Sequence, residues 1–209
     1  YEIARSYRDQ GYAATIEACI HYLTLDEEND VARLGGKAKI NPPIRPRAEV
    51  EKLWKHVRDG NVTLVSTDHV SWSENRKTDP DMLANASGVP GLEVMVPLFV
   101  MGALKRDIPL ICAARLMAEN PARHFRLDHA KGALTAGKDA DITVLFPRPR
   151  HYDAAASGHN VVGWSPYNGV ELPWTVGLTY LRGRQVFDGT NVAEPGTGRF
   201  VRPELVNRR

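Results

Sequence analysis

The stretch NVTLVSTDH, residues 61–69, ends an apolar and β-branched run with two ionisable side chains. The run through Val65 is typical of a buried strand. Burying the pair Asp68 and His69 directly after it would be costly unless something compensates the two polar groups. Either a turn or helix begins there, which an aspartate caps well, or the pair belongs to a functional site. Taken alone, the stretch favours the cap.

The segments before this strand predict its surroundings. Residues 12–25, YAATIEACIHYLTL, indicate another buried strand running into a loop, and residues 26–46 form a long loop. Residues 47–60 predict a helix, because apolar side chains recur at helical spacing, at Val50, Leu53, Trp54 and Val57. The order strand, loop, helix, strand is typical of a parallel α/β sheet. In such a sheet Asp68 lies at the carboxyl end of a strand, where catalytic residues are commonly placed.

The segments after residue 91 change from helical to β character. Residues 92–107 and 109–125 predict two apolar helices. Residues 141–146, DITVLF, predict a short strand, and residues 174–189 predict two more around an Arg-Gly-Arg turn. The chain therefore has an α/β part followed by a small β part.

The length and composition are those of an ordinary globular protein. The 209 residues allow one large domain, or a medium domain with a small one, and we place a boundary between residues 1–130 and 131–209. With 43% hydrophobic residues and a formal net charge of +2, nothing indicates a nucleic-acid-binding or membrane-binding surface. No apolar run approaches the roughly 18 residues of a membrane-spanning helix.

The cysteines and the first residues bear on cellular context. Only Cys19 and Cys112 are present, both in apolar surroundings, which favours a reduced cytoplasmic protein without a disulfide framework. The chain begins YEIARSYRDQGY, without an initiator methionine and inside a predicted helix. We therefore expect it to be the later part of a longer protein.

Several motifs occur in one order along nearly the whole chain, from about residue 12 to residue 203. They are EACIHYL, KINPPIRP, VSTDH, NASGVPGLE, NPARHF, GKDADITVLFP, WSPYNG, YLRGRQVFDG and GRFVRP. This order resembles the cyclic amidohydrolases, a family that includes dihydropyrimidinases (hydantoinases), allantoinases and dihydroorotases.

The resemblance implies a fold and a metal centre. The family's fold is a (β/α)₈ TIM barrel with a small β-sandwich, and this chain would supply about strands 7 and 8 with their helices, and part of the sandwich. The family's site holds two divalent metals, usually zinc, bridged by a carboxylated lysine and a hydroxide. Asp68 matches the ligand on the eighth strand. The His-x-His pair, the lysine and two further histidines would all precede Tyr1, and no His-x-His occurs in this chain.

The resemblance also indicates residues that would contact substrate. Asn41 matches a loop position that hydrogen-bonds the amide edge of the ring, where the family often has serine. Ser87 and Gly88 match the loop after the eighth strand, although a turn built by such residues is an equally good interpretation of the side chains. His69 would either bind substrate or orient Asp68.

Two further side chains near these motifs have alternative interpretations. His21 ends the first predicted strand and is more typical of a structural or supporting histidine than of a metal ligand. Trp72 follows the second strand and would either wall a pocket or pack over the barrel rim. The histidines farther along the chain are assigned no ligand role.

The resulting hypothesis is metal-dependent hydrolysis of a cyclic amide in a hydantoin or dihydropyrimidine-like ring, with the metal-bridging hydroxide as nucleophile and Asp68 as the proton shuttle. The alternatives are allantoinase or dihydroorotase activity, or a non-catalytic scaffold protein of the dihydropyrimidinase type. The expected partners are the small cyclic amide, the preceding half of the same protein and further copies in a dimer or tetramer, without nucleic acid or membrane. Residues 1–209 alone are expected to be inactive.

Overall fold

The computed structural model describes residues 1–204 and has a mixed α/β architecture, as the sequence predicts. The last five residues of the predicted second domain lie outside the described part. The α-helices and strands up to residue 66 are α1 (Glu2–Asp9), β1 (Glu17–Cys19), α2 (Ile20–Thr24), α3 (Ala32–Leu34), α4 (Arg47–Arg58) and β2 (Leu64–Ser66). A π turn at Glu27–Val31 and a 3₁₀ turn at Gly35–Ala38 flank α3, so the predicted long loop over residues 26–46 is helical in its first half.

Strands β1 and β2 pair in parallel, with Glu17 opposite Leu64 and Cys19 opposite Ser66. A crossover that contains α4 connects them, which is the usual way to join parallel neighbours. The predicted parallel pairing is confirmed. Both polypeptide segments therefore leave the sheet at the same edge, after Cys19 and after Ser66.

The prediction of a strand running into a loop over residues 12–25 is wrong at its carboxyl end, where a helix takes the place of the loop. The strand stops at Cys19, and Ile20 begins the short helix α2. Ile20 and Leu23 are both buried on the inner side of that helix. A short apolar run fits a buried strand and a buried helix equally well, so the sequence pattern could not locate this change.

Helix α4 packs as its spacing predicts. Its buried residues are Val50, Leu53, Trp54 and Val57. The Trp54 indole donates to the Leu23 carbonyl at 2.7 Å and packs against Phe99. A Cβ at Gly102 would lie 2.2 Å from the Trp54 ring, so glycine is required where this ring meets the next helix. These contacts fix α4 against the core.

The helices after residue 91 lie against the same core. Helix α5 (Met95–Leu104) follows a 3₁₀ turn at Leu92–Val94. Helices α6 (Ile111–Ala114) and α7 (Asn120–His124) flank a wide π turn at Arg115–Glu119 and form one helical segment. Both predicted helices are therefore confirmed, each slightly shorter than its sequence pattern.

The small β part contains a three-stranded antiparallel sheet and a separate strand pair. The sheet has the order β3 (Ile142–Phe146), β6 (Thr175–Leu181), β7 (Arg184–Phe187). The pair consists of β4 (Arg150–His151) and β5 (Glu171–Leu172). The strands predicted from DITVLF and from the two runs around the Arg-Gly-Arg turn are confirmed. The boundary near residue 130 stays a prediction.

Within residues 1–204, no helix combines the length and the apolar character needed to cross a membrane.

Candidate functional site

Asp68 lies two residues beyond the end of β2, in the left-handed backbone region with a φ of +45°. Few residues other than glycine adopt this conformation, and aspartate is among those that tolerate it. Its carboxylate is exposed and has no hydrogen bond or ion pair with another residue of the described chain. The Asp68 side chain therefore does not cap the following turn. The His69 amide donates instead to the Thr67 hydroxyl, at 3.3 Å.

The end of β1 lies next to Asp68. Burial raises the pKa of the Cys19 thiol to about 12, and the Asp68 carboxylate contributes to this shift. Burial likewise raises the pKa of the Tyr22 hydroxyl to about 12, with the charges of Cys19 and Asp68 adding to it. The Tyr22 hydroxyl donates to the Pro42 carbonyl at 3.2 Å. The structure thus brings Asp68 and the loop of Asn41 to the same edge of the sheet.

His69 is engaged through both ring nitrogens. Its Nδ1 accepts from the amides of Gly91 at 3.1 Å and Leu92 at 3.2 Å. Nδ1 must therefore be unprotonated, so the neutral ring carries its proton on Nε2 and donates it to the Ser71 hydroxyl at 2.8 Å. Burial lowers the pKa of His69, which favours this neutral form. The histidine stabilises the turn that leads into α5, and its contact with substrate stays a prediction.

The loop of Ser87 and Gly88 is tied to the loop of Asn41. The Gly88 amide donates to the Lys39 carbonyl at 3.0 Å. Gly88 has a φ of +105°, and a Cβ on it would lie 2.4 Å from a Val70 methyl group. Only glycine satisfies both conditions. Asn41 itself is exposed, and Ser87 is half-buried.

Trp72 holds the loop after β2 in place. Its indole donates to the Ser87 carbonyl at 2.7 Å, and the Arg76 guanidinium lies 4.3 Å from the ring centre. The Trp72 carbonyl in turn accepts from the Trp164 indole at 2.8 Å. Trp72 is therefore a packing and hydrogen-bonding residue between loops.

The segment Trp164–Tyr167 braces the site from the small β part, and sequence reasoning missed it. In addition to the Trp164 contact, the Ser165 hydroxyl donates to the Pro90 carbonyl at 3.0 Å. The Tyr167 hydroxyl bonds His21 Nδ1 at 2.7 Å and the Thr24 hydroxyl at 2.9 Å. Only the motif WSPYNG marks this segment in the sequence, and the motif does not indicate which residues the segment contacts.

His21 is a buried neutral histidine. Burial lowers its pKa to about 4, and the neighbouring His69 adds to the effect. The ring stacks on Tyr167, with the ring planes 15° apart. Nε2 has no hydrogen-bond partner among the described residues, although the Val89 carbonyl lies close enough to act on the pKa. These contacts are those of a histidine that supports the loops.

Lys77 is a second residue that the sequence did not single out. Its side chain is completely buried, and its Nζ donates to the carbonyls of Lys39 and Ala86, each at 2.7 Å. Burial lowers its pKa to about 8, and the charge of Lys39 contributes. The residue ends a 3₁₀ turn at Glu74–Lys77 in a polar stretch of sequence, where lysines are usually solvated, so no local signal predicted its burial.

Asp68 is suited to contribute to a metal centre but does not form one with its neighbours here. A carboxylate oxygen is an accepted zinc ligand, and this one is accessible and uncommitted. Within residues 1–204, no group of three or more His, Cys, Asp or Glu residues could hold a metal ion. A metal centre at Asp68 would therefore need ligands from outside the described residues.

Comparison with known proteins identifies relatives along most of the chain. An allantoinase from Rubrobacter xylanophilus is 38% identical over 198 residues, which are 94% of this chain and 43% of that protein. A dihydroorotase from Methanosarcina mazei is 35% identical over 189 residues, which are 90% of this chain and 41% of that protein. The chain thus spans less than half the length of these curated relatives.

A solved structure has the same arrangement of elements. L-Hydantoinase (dihydropyrimidinase) from Arthrobacter aurescens superimposes with a TM-score of 0.87 at 26% identity, covering 92% of this chain and 43% of that one. The model of the amidohydrolase family matches residues 4–186, which include both parallel strands, Asp68 and the three-stranded sheet except for its last residue. The chain therefore belongs to the amidohydrolase family.

Proposed function

We propose that this chain is the C-terminal part of a metal-dependent hydrolase that opens a cyclic amide ring at a carbon–nitrogen bond. The observation that carries the proposal is the exposed, uncommitted carboxylate of Asp68 at the carboxyl end of a parallel strand. Relatives named allantoinase, dihydroorotase and hydantoinase all act on cyclic amides, which supports this reaction class.

The proposal assigns each part of the chain a place in the whole protein. Residues 1–130 would form the C-terminal part of a TIM barrel, with β1 and β2 as its seventh and eighth strands. Residues 131–209 would form part of a small β-sandwich. The parallel pairing of β1 with β2 and the antiparallel sheet of β3, β6 and β7 support this division.

The metal ions of the proposal are two divalent ions, with zinc as the expected element. Asp68 would provide one ligand, and the remaining ligands, including a carboxylated lysine that bridges the ions, would lie in the preceding half of the protein. When bound, the ions would polarise the ring carbonyl and lower the pKa of the attacking water.

Asp68 acts as the proton shuttle in this proposal. A carboxylate accepts a proton from the water that attacks the ring carbonyl, which forms the new carbon–oxygen bond. It then delivers that proton to the ring nitrogen as the carbon–nitrogen bond breaks. The exposure of Asp68 suits this role, because no neighbour within the described residues competes for its oxygens.

The substrate ring would lie between the loops after β1 and β2. Asn41 would hydrogen-bond its amide edge, and Ser87, Gly88 and His69 would line the other side. The hydrogen bond from the Gly88 amide to the Lys39 carbonyl supports a common pocket, because it joins the two loops. Since His69 already uses both ring nitrogens, its contact with substrate would require its bond to Ser71 to change.

The expected substrates are hydantoin or dihydropyrimidine rings. Allantoin and dihydroorotate are the alternatives, and the names of the two curated relatives favour them. A non-catalytic scaffold is the alternative of a different class. We further expect a homodimer or homotetramer in the cytoplasm.

The test uses the complete protein that contains this chain. Hydrolysis of hydantoin, dihydrouracil, allantoin and dihydroorotate is measured together with metal content per subunit. Two zinc ions and turnover of one ring class are the expected result. Absence of both metal and turnover would contradict the proposal and favour the scaffold.

A further inference from the structure

Lys77 is a buried cation bonded to neutral groups. Its two acceptors are the carbonyls of Lys39 and Ala86, and it forms no ion pair with any carboxylate within residues 1–204. Burying an ammonium group is costly unless its hydrogen bonds are made, and a long side chain also loses rotamer freedom. The stabilisation that offsets this cost must therefore come from the groups that the ammonium joins.

The two carbonyls lie next to the residues proposed to bind substrate. Lys39 precedes Asn41 by two residues in one loop, and Ala86 directly precedes Ser87 in the other. The Lys39 carbonyl also accepts from the Gly88 amide. The Lys77 ammonium thus joins the two loops by hydrogen bonds next to Asn41 and Ser87.

The loop of Lys77 is itself anchored on both sides of this contact. The Ala86 amide donates to the Arg76 carbonyl at 3.0 Å, directly beside Lys77. The Arg76 guanidinium packs over Trp72, whose indole holds the Ser87 carbonyl. The ammonium is therefore fixed in position rather than adapting to the loops.

We propose that Lys77 is a positioning residue that holds the Asn41 loop and the Ser87 loop at the separation the substrate ring requires. It does not touch substrate and acts through the carbonyls of Lys39 and Ala86. This inference rests on the proposed function, because it assumes that both loops bind the ring.

The test compares Lys77→Met with Lys131→Met in the complete protein. Methionine keeps the unbranched apolar stem of lysine but lacks the ammonium group and its three donors. Lys131 is a matched control, because it also has two partners, Asp139 and Asp141, but lies in the small β part. We expect Lys77→Met to lower kcat/KM by roughly 10- to 100-fold, mainly through a higher KM, and Lys131→Met to leave both constants unchanged.

The split between the two constants separates positioning from folding. A variant that is merely less stable has fewer active molecules, which lowers apparent kcat and leaves KM unchanged. Lys77→Gln can still donate to one carbonyl and should give an intermediate KM with unchanged zinc content. An unchanged KM in both variants, or loss of the fold in both, would overturn the inference. If the wild-type protein opens none of the rings, the proposed function fails instead.

Discussion

Asp68 combines an exposed carboxylate with a left-handed backbone conformation that residues other than glycine rarely adopt. Such conformations cost about 1–3 kcal/mol and persist where the surrounding structure holds them. Here the Thr67 hydroxyl and the bridge between His69 and Val89 fix the chain on both sides. The carboxylate that this conformation presents is exposed to solvent rather than buried in the core.

Replacing Asp68 by asparagine tests the role of the charge. Asparagine also tolerates the left-handed conformation, so the fold should remain intact. The amide cannot accept the proton, and we expect kcat to fall by about 10²- to 10⁴-fold or more. Steady-state hydrolysis and circular dichroism of the complete protein check the two parts of this prediction. Activity within about tenfold of wild type would contradict the shuttle role.

A substitution at Gly88 tests whether its positive φ and its close approach to Val70 both require glycine. Gly88→Ala strains a φ of +105° and places a Cβ 2.4 Å from the stiff Val70 side chain. Gly137→Ala is a matched control, because its φ is +91° and its Cβ would meet open space. We expect urea unfolding to show that the first variant loses about 1–3 kcal/mol more than the second. Equal losses would mean that Val70 moves aside freely.

At the level of elements, residue patterns in the sequence predicted the helices and strands that depend on neighbouring residues. The helical spacing of apolar residues correctly predicted α4, and the Arg-Gly-Arg turn between two short runs correctly predicted β6 and β7. The pattern failed at Ile20, where a buried strand and a buried helix place the same residue types inside. It also gave no sign of Lys77, since burial of that lysine depends on carbonyls brought in by folding.

The Trp164–Tyr167 segment shows the same limit. Its contacts join residues as much as 146 positions apart, so nothing in the neighbouring sequence encodes them. The position of Asp68 at a strand end was predictable, because the order of elements fixes which edge of a parallel sheet carries the loops. The contacts that support those loops were not predictable, because they form only in the tertiary structure.

Removing the Tyr167 hydroxyl tests this support. Tyr167→Phe leaves the buried His21 Nδ1 without its partner, which we expect to lower the free energy of unfolding by about 1–3 kcal/mol. Tyr180→Phe is the control, since its hydroxyl reaches Gln185 only at 3.5 Å on an exposed surface and should cost under about 0.5 kcal/mol. Thermal or urea unfolding of both variants measures the difference. Equal losses of unfolding free energy in the two variants would show that the Tyr167 hydrogen bonds add little to stability.

On the scale of the whole molecule, β1 and β2 form a two-stranded parallel sheet whose outer edges pair with no other strand among the described residues. Helix α1 has no buried residue, and Ile3 is 76% exposed. Small isolated sheets are marginally stable in water, and exposed edges and apolar faces favour association. These surfaces are consistent with a chain that spans less than half of its relatives.

The isolated polypeptide of residues 1–209 should therefore not hydrolyse any of the four rings. We also expect it to bind less than one equivalent of zinc tightly, because its described residues supply no ligand group of three. Turnover assays and metal analysis after gel filtration measure both properties. Adding the preceding half of the protein should restore them, and an active isolated chain would refute the proposal.

The brace formed by Trp164–Tyr167 also has a consequence for biosynthesis. Chains are made from the amino terminus, and the parts that emerge first generally begin to fold first. Asp68 and the two loops are synthesised long before the segment that holds them, so His21 has no bond from Tyr167 at that stage. The last quarter of the chain therefore completes the support of these loops, and a protein truncated before residue 164 would lack the hydrogen bonds that Trp164, Ser165 and Tyr167 make to them.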